Sequence, residues 1–134
     1  MEPTETEIAI LHESWRAAIC REDIDAALNL LTDDYVLWAA GALPVEGLES
    51  VRALFEAALA RYRIEPAFEP EECMVSGDLA VARGWDIQRV KPRDGGQPTT
   101  QRQRVFLVMR RGEDGQWRYA RGISQPGPPP ASSE

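Results

Sequence analysis

Two side chains in this sequence are candidates for acid–base chemistry: the imidazole of His12 and the carboxyl group of Asp86. His12 is the only histidine and lies on an apolar helical stripe. That position is typical of a hydrogen-bonded core or rim residue, but it also allows a general base. Asp86 lies in the strand-like segment LAVARGWDIQ, where apolar surroundings would raise the pKa of its carboxyl group. We predict that the two residues form a catalytic pair. An exposed or salt-bridged Asp86 is the alternative.

Two further carboxylates, Asp33 and Asp34, stand at the start of the strand-like segment DYVLWAA. An adjacent acidic pair at the end of a helix can be catalytic. It can equally satisfy loose backbone donors where the chain turns, as aspartate side chains often do. We interpret this pair as structural, with a catalytic role as the alternative.

The composition limits the possible classes of function. The chain has 134 residues, enough for one domain with a core, and its net charge of −7 disfavours nucleic acid as a partner, because phosphate binding requires a basic surface. Cys20 and Cys73 are the only cysteines, so the sequence predicts neither a disulfide framework nor a metal site. No apolar segment approaches the length of a membrane span, and the start MEPTETE is unlike a targeting peptide. We therefore expect a cytoplasmic protein with no membrane partner.

The order of helical and strand-like segments is typical of an α+β domain. Helices are predicted in TETEIAILHESWRAAICRED, DIDAALNLL and LESVRALFEAALARYR, strands in DYVLWAA, IEPAFEPEECMV, LAVARGWDIQRV, TTQRQRVFLVMRR and WRYARGIS, and a turn in ALPVEG. Pro66 and Pro70 predict that the first long strand is irregular or lies at a sheet edge. We assign residues 1–125 to one domain and the Pro- and Ser-rich residues 126–134 to a disordered tail.

This ordered set resembles the nuclear transport factor 2-like superfamily, and within it the SnoaL-like polyketide cyclases and a related branch of uncharacterised proteins. The resemblance covers residues 4–125 and rests on Trp15, EDIDAALNLLTDDYVLW, the helix start at Gly47, SGDLAVARG and RVFLVMRRGEDGQWRYARGIS. It implies a cone-shaped fold in which N-terminal helices pack on a curved antiparallel sheet, with a pocket between the helices and the concave face. The superfamily hosts isomerases, cyclases, hydrolases and catalytically silent assembly domains, so the resemblance is more specific for fold than for function.

The ketosteroid isomerase branch of that superfamily uses a carboxylate base at the end of the first strand, with a protonated Asp and a Tyr as oxyanion donors. By the resemblance, Ala39 stands where the base belongs and Leu107 where the protonated Asp belongs, and Trp15 lies near the position of the Tyr. An apolar side chain neither takes a proton nor donates a hydrogen bond. The resemblance therefore argues against that mechanism and leaves His12 and Asp86 as the candidates.

Side-chain alternation along the strands predicts which residues line the pocket, if Leu107 faces it. For LAVARGWDIQ we prefer the register that turns Asp86 inward, because it leaves Arg83 unburied. The predicted lining is mostly apolar with a few polar groups, as is usual for a small-molecule site: His12, Trp15, Trp38, Asp86, Gln103, Leu107, Met109 and Ser124.

The same alternation predicts that arginines and aromatic residues share the opposite face of the sheet, namely Arg83, Trp85, Arg104, Phe106, Tyr119 and Arg121. Such a surface can bind nucleic acid, form a dimer interface or remain solvated. The acidity of the chain and the superfamily's habit of pairing sheet to sheet favour a homodimer.

These features predict a homodimer that binds a small hydrophobic molecule, and no motif requires a cofactor or a metal. The first hypothesis is a cofactor-independent cyclase or isomerase of the SnoaL-like type, using proton transfer on a hydrophobic substrate. The second is a non-catalytic ligand-binding or assembly domain.

Overall fold

The structure, a computed structural model, describes residues 3–128, with the side chain of Pro3 left out. Its elements are α1 (Pro3–Cys20), α2 (Ile24–Leu28), β1 (Leu31–Ala39), β2 (Val45–Glu46), α3 (Leu48–Arg61), β3 (Tyr62–Ser76), β4 (Leu79–Pro92), β5 (Thr99–Arg111) and β6 (Trp117–Pro126). The predicted α+β order is confirmed. In the described part of the chain, no helix is long and apolar enough to cross a membrane.

The six strands form one sheet in the order β2-β1-β6-β5-β4-β3. All neighbouring strands pair antiparallel except β1 and β6, which are parallel. The proline-containing strand β3 lies at the sheet edge, as predicted, and its register shifts between Pro70 and Glu72. The predicted turn ALPVEG is partly wrong, because Val45 and Glu46 pair with β1 as a short strand.

The helices cover one side of the sheet, which we call the inner face; the other side is the outer face. Ile8 and Leu11 of α1 and Val51 of α3 belong to the same buried core cluster as Ala80 and Ala82 of β4, among others. Alanines at these strand positions leave room for the helices to approach the sheet. Ala80 and Ala82 are only 2% exposed, so the register of β4 that turns Asp86 inward is the one in the structure.

A bulge in β6 corrects one predicted interface residue. Val108 pairs with Arg121 but Met109 pairs with Tyr119, so β6 carries one extra residue, Ala120, at this point. An extra residue reverses the alternation of side chains along a strand. Tyr119 was predicted on the outer face, but it lies in the core and is 6% exposed, while Arg121 stays on the outer face.

The register of β1 corrects one predicted pocket residue. Trp38 pairs with Ile123, which lies on the outer face, and its side chain is 54% exposed. Neighbouring residues on adjacent strands share a face, so Trp38 points away from the helices. Leu37 and Ala39, which pair with Gly122 and Ser124, occupy the inner face instead.

The predicted boundary at 125/126 falls inside the last strand, because β6 extends through Pro126. Of the predicted tail, residues 129–134 lie outside the described part of the chain. The assignment of a disordered tail therefore stays a prediction.

Candidate functional site

His12 lies between α1 and the inner face, where it contacts two aromatic rings. Its Nδ1 atom is 2.5 Å from the hydroxyl oxygen of Tyr119, and its ring centroid is 4.6 Å from that of Phe68. Burial lowers the pKa of His12 to about 4. Burial, followed by the negative charges that Tyr35 and Asp86 can carry, raises the pKa of Tyr119. Both groups are therefore neutral at pH 7, and His12 is a weak base that is already engaged by a phenol.

Asp86 lies on the inner face of β4, between Phe68 of β3 and Gln103 of β5. Its Oδ2 atom accepts a hydrogen bond of 2.8 Å from Nε2 of Gln88, while Oδ1 accepts none from residues 3–128. Burial raises the pKa of Asp86, and the hydrogen bond from Gln88 offsets part of that rise. The inward register preferred from the sequence is the one in the structure.

Within residues 3–128, no hydrogen bond or ion pair joins the two residues of the predicted catalytic pair. The hydrogen-bonding partner of His12 is Tyr119, and that of Asp86 is Gln88. Tyr119 is 107 residues away from His12 and was predicted on the outer face, so sequence reasoning could not identify it as the partner. The two candidates thus belong to neighbouring parts of the inner face that are linked through Tyr119, whose pKa responds to the charge of Asp86.

The inner face changes from apolar to polar along its strands. The apolar end carries Ala82 and Leu107, which pair with each other. Four residues further along β4, Asp86 pairs with Gln103, and next to this pair Gln88 pairs with Gln101 on the same face. The resulting polar block offers carboxylate and amide groups beside an apolar surface, and this combination suits a small molecule with one polar end.

Aromatic rings border this inner surface on the helix side. The Trp15 ring meets Phe55 of α3 edge to face at a centroid distance of 5.5 Å, and it meets Tyr119 at 5.9 Å. Ser124 lies on the inner face between Ala39 and Val105. Trp15 and Ser124 thus lie at this surface, and their role in lining a pocket stays a prediction.

Met109 is the exception among the predicted pocket residues on β5. Its side chain is 0% exposed and belongs to the core cluster with Ile8 and Leu11. Met109 lies on the inner side of β5 as predicted, but the core cluster around it buries its side chain completely. Met109 is therefore a packing residue and cannot touch a ligand without a change in the core.

Tyr35 is an inner-face residue that sequence reasoning missed. Its side chain is 8% exposed, yet no residue of the described chain hydrogen-bonds its hydroxyl group. A Cβ atom placed on Gly122 would lie 2.6 Å from the Tyr35 hydroxyl oxygen, so that oxygen sits directly over the glycine. Counting back by twos from Ala39, which the resemblance placed at the pocket, would have identified Tyr35.

Comparison with known proteins assigns the chain to a family. Residues 12–120 match the SnoaL-like domain family. The chain belongs to this family, and its fold is that of nuclear transport factor 2-like proteins. A comparison with curated proteins found no match.

Three solved structures share the fold of this SnoaL-like domain. A conserved protein from Planctomyces limnophilus DSM 3776 is 28% identical with a TM-score of 0.87, over 94% of this chain and 98% of that one. A ketosteroid isomerase-like protein from Erwinia carotovora atroseptica SCRI1043 is 22% identical with a TM-score of 0.82, over 96% and 100%. An NTF2-like protein with a cystatin-like fold from Novosphingobium aromaticivorans DSM is 21% identical with a TM-score of 0.78, over 96% and 85%.

The acidic pair of the SnoaL-like domain lies beside a surface cleft of about 750 Å³, away from the polar block of the inner face. Asp34 accepts a 2.7 Å hydrogen bond from Oγ1 of Thr32 and a 3.2 Å one from Nη1 of Arg110. The hydrogen bond from Thr32, and then that from Arg110, lower the pKa of Asp34. These contacts tie the start of β1 to the end of β5, which supports the structural interpretation of Asp34.

The outer face of the SnoaL-like domain carries a groove of about 450 Å³ beside Trp85. The guanidinium carbon of Arg102 lies 3.9 Å from the centre of the Trp85 ring, and Nε1 of Trp85 donates to Glu71 at 3.0 Å. Arg83 forms ion pairs with Glu71 and Glu72 of the neighbouring strand. Two of the predicted interface residues, Arg83 and Trp85, thus already have partners within the sheet.

Proposed function

We propose that this SnoaL-like domain binds a small hydrophobic molecule between its helices and the inner face, and that it catalyses proton transfer on that molecule without a cofactor. Such a domain would act as a cyclase or an isomerase. The observation that carries this proposal is the carboxyl group of Asp86, which has a raised pKa and one oxygen free of hydrogen bonds within the described chain. A carboxylate whose pKa lies closer to the working pH is a stronger base than an exposed one.

The surroundings of Asp86 fit this role. The apolar body of a substrate would lie against Trp15, Phe55 and Phe68, and its polar end near the amide of Gln103. Oδ1 of Asp86 would remove a proton from a carbon next to a carbonyl group, which leaves an enolate and a neutral carboxylic acid. In an isomerisation, the carboxylic acid would return the proton to a different carbon. In a cyclisation, it would return the proton after the ring has closed.

His12 has a supporting role in this proposal. It is neutral at pH 7, and its Nδ1 atom is held by Tyr119. Its ring fixes Phe68, the neighbour of Asp86 on β3, at a centroid distance of 4.6 Å. We therefore assign proton transfer to Asp86 and the positioning of the Phe68 ring to His12.

Hydrogen–deuterium exchange of 2-tetralone tests the proposal, because its carbon next to the carbonyl group loses a proton readily. Proton NMR in D₂O measures the exchange with no knowledge of the natural substrate. The wild-type domain should accelerate exchange. Asp86→Asn should lower the exchange rate about 10²–10⁴-fold, the usual contribution of a positioned base. Asp33→Asn is the matched control, since Asp33 is exposed at the start of β1.

The second candidate, a non-catalytic ligand-binding domain, uses the same surface without proton transfer. It is favoured by Ala39 and Leu107, two apolar inner-face residues at positions where the resemblance implies acids. Binding of 2-tetralone without accelerated exchange in the wild type would select this candidate. Equal exchange by the wild type and Asp86→Asn would also contradict a base at residue 86.

We also propose that the domain forms a homodimer through the outer face. Trp38, Ile123 and Phe106 lie side by side on β1, β6 and β5, and they are 54%, 42% and 42% exposed. Adjacent apolar side chains on three strands form the kind of patch that protein interfaces cover. A cytoplasmic location stays a prediction.

A further inference from the structure

We propose that the hydroxyl group of Tyr35, which occupies the space above Gly122, forms a subsite that binds a carbonyl or ether oxygen of the small molecule. The inference rests on the proposed binding of a small molecule, but not on proton transfer by Asp86. It assigns one oxygen of the ligand to a place on the inner face between β1 and β6, apart from the polar block on β4 and β5.

The first observation is a polar group without a partner in a buried side chain. Tyr35 is 8% exposed, and none of the described residues accepts from or donates to its hydroxyl group. Within residues 3–128, every side-chain oxygen or nitrogen that is fully sealed from solvent does have a partner. The Tyr35 oxygen is therefore not sealed, and it borders space that water or a ligand atom can enter.

The second observation is the space that Gly122 leaves for this oxygen. A Cβ atom on residue 122 would lie 2.6 Å from the Tyr35 oxygen, closer than such atoms approach, but 3.6 Å from Cδ1 of Leu37. The backbone of Gly122 is not in the left-handed region, so its conformation does not require glycine. What the glycine provides is room for the hydroxyl group.

The third observation concerns the kind of atom that would bind. Burial raises the pKa of Tyr35 to about 12, so the group keeps its proton at neutral pH and can donate it. The other buried phenol, Tyr119, is engaged by His12. Around Gly122 the inner-face neighbours on β1 and β5 are Leu37 and Leu107, which offer no competing polar group. A ligand oxygen that accepts hydrogen bonds therefore fits this subsite, whereas a hydrocarbon group would form no hydrogen bond with the Tyr35 hydroxyl group.

Two probes of matched shape test the subsite: 2-tetralone, and 2-methylenetetralin, in which a CH₂ group replaces the carbonyl oxygen. Isothermal titration calorimetry measures their affinities for the wild type, Tyr35→Phe and the control Tyr62→Phe, which alters a tyrosine at the start of the edge strand β3. Tyr35→Phe should weaken binding of the ketone about twofold to tenfold, the value of one net hydrogen bond. Binding of the hydrocarbon should stay unchanged, and Tyr62→Phe should alter neither.

Gly122→Ala provides a second variant, since its methyl group would displace the Tyr35 hydroxyl and should cause the same selective loss of ketone affinity. An unchanged ketone affinity in Tyr35→Phe, an equal loss for both probes, or no binding of either probe to the wild type would overturn the subsite. The proposed proton transfer fails separately: Asp86→Asn would then exchange 2-tetralone as fast as the wild type, whatever Tyr35→Phe does to binding.

Discussion

Replacing Gly122 by alanine should destabilise the domain through a single contact, that with the Tyr35 hydroxyl oxygen. The new Cβ atom would lie 2.6 Å from that oxygen, whereas its next contacts, with Leu37 and the ring carbon of Tyr35, are at an ordinary 3.6 Å. Overpacking of this kind costs about 1–3 kcal/mol in the free energy of unfolding. Alanine also lowers the conformational entropy of the unfolded chain, and this raises the free energy of unfolding by about 0.4–1 kcal/mol. We therefore expect a net loss of about 1–2 kcal/mol.

A second substitution isolates that contact. Tyr35→Phe removes the oxygen and breaks no hydrogen bond within the described chain, so alone it should change stability by less than about 1 kcal/mol. In the double variant the alanine would meet only atoms at ordinary distance, and the overpacking cost should disappear. The coupling between the two changes should be about 1–2 kcal/mol, within the range for residues in contact.

Urea unfolding of the four proteins, followed by tryptophan fluorescence, measures the cycle if the denaturant slope stays constant. Gly84→Ala is the control: its Cβ atom would lie 2.2 Å from the backbone oxygen of Glu69, so Tyr35→Phe cannot relieve it. Effects of Gly122→Ala and Tyr35→Phe that add within about 0.5 kcal/mol would refute the placement of the hydroxyl group over the glycine.

Further predictions concern pH, association and the acidic pair. The pKa of His12 is lower in the folded state, about 4 against 6.5, so stability is lost as the pH falls from 6.5 towards 4. The loss is at most about 3 kcal/mol, and His12→Gln should remove it in urea unfolding at pH 4–7. The pKa of Asp86 is raised in the folded state, so its effect on stability has the opposite sign: stability is lost as the pH rises through the folded pKa. Asp86→Asn should therefore be more stable than the wild type at pH 7 in the same assay. In sedimentation, Ile123→Glu should turn the proposed dimer into a monomer, whereas the control Gln97→Glu in the β4–β5 loop should not. A monomeric wild type would contradict the proposed dimer. Asp34→Asn should cost about 1 kcal/mol or less and leave exchange of 2-tetralone intact, and a loss of exchange at unchanged stability would make Asp34 functional.

Much of the fold could be predicted because local patterns decide it. Helical spacing of apolar residues identified the helices, and Pro66 and Pro70 identified the edge strand, since proline lacks the donor that an inner strand needs. On β4, the inward position of Asp86 followed from alternation together with the cost of burying Arg83. These predictions needed no knowledge of which strand pairs with which.

The errors arose where pairing between distant segments decides the outcome. Tyr119 was placed on the outer face because nothing in the sequence of β6 indicates the bulge at Ala120. The misplacement of Trp38 in the pocket has a different cause, because alternation from Ala39 alone points it outward. The bond between His12 and Tyr119 joins the first helix to the last strand, and no local pattern encodes it.

The bulge at Ala120 also has a consequence for changes in chain length. It divides β6 into two segments whose alternation differs by one residue, so that Trp117 and Tyr119 face the core while Arg121 faces outward. Deleting Ala120 would restore strict alternation and force a choice between exposing the two aromatics and burying the arginine. In the turn between β5 and β6, around Gly115, an inserted residue would leave both segments in phase with their neighbours. Natural or engineered variation in length should therefore accumulate in that turn, while the length of β6 itself stays fixed.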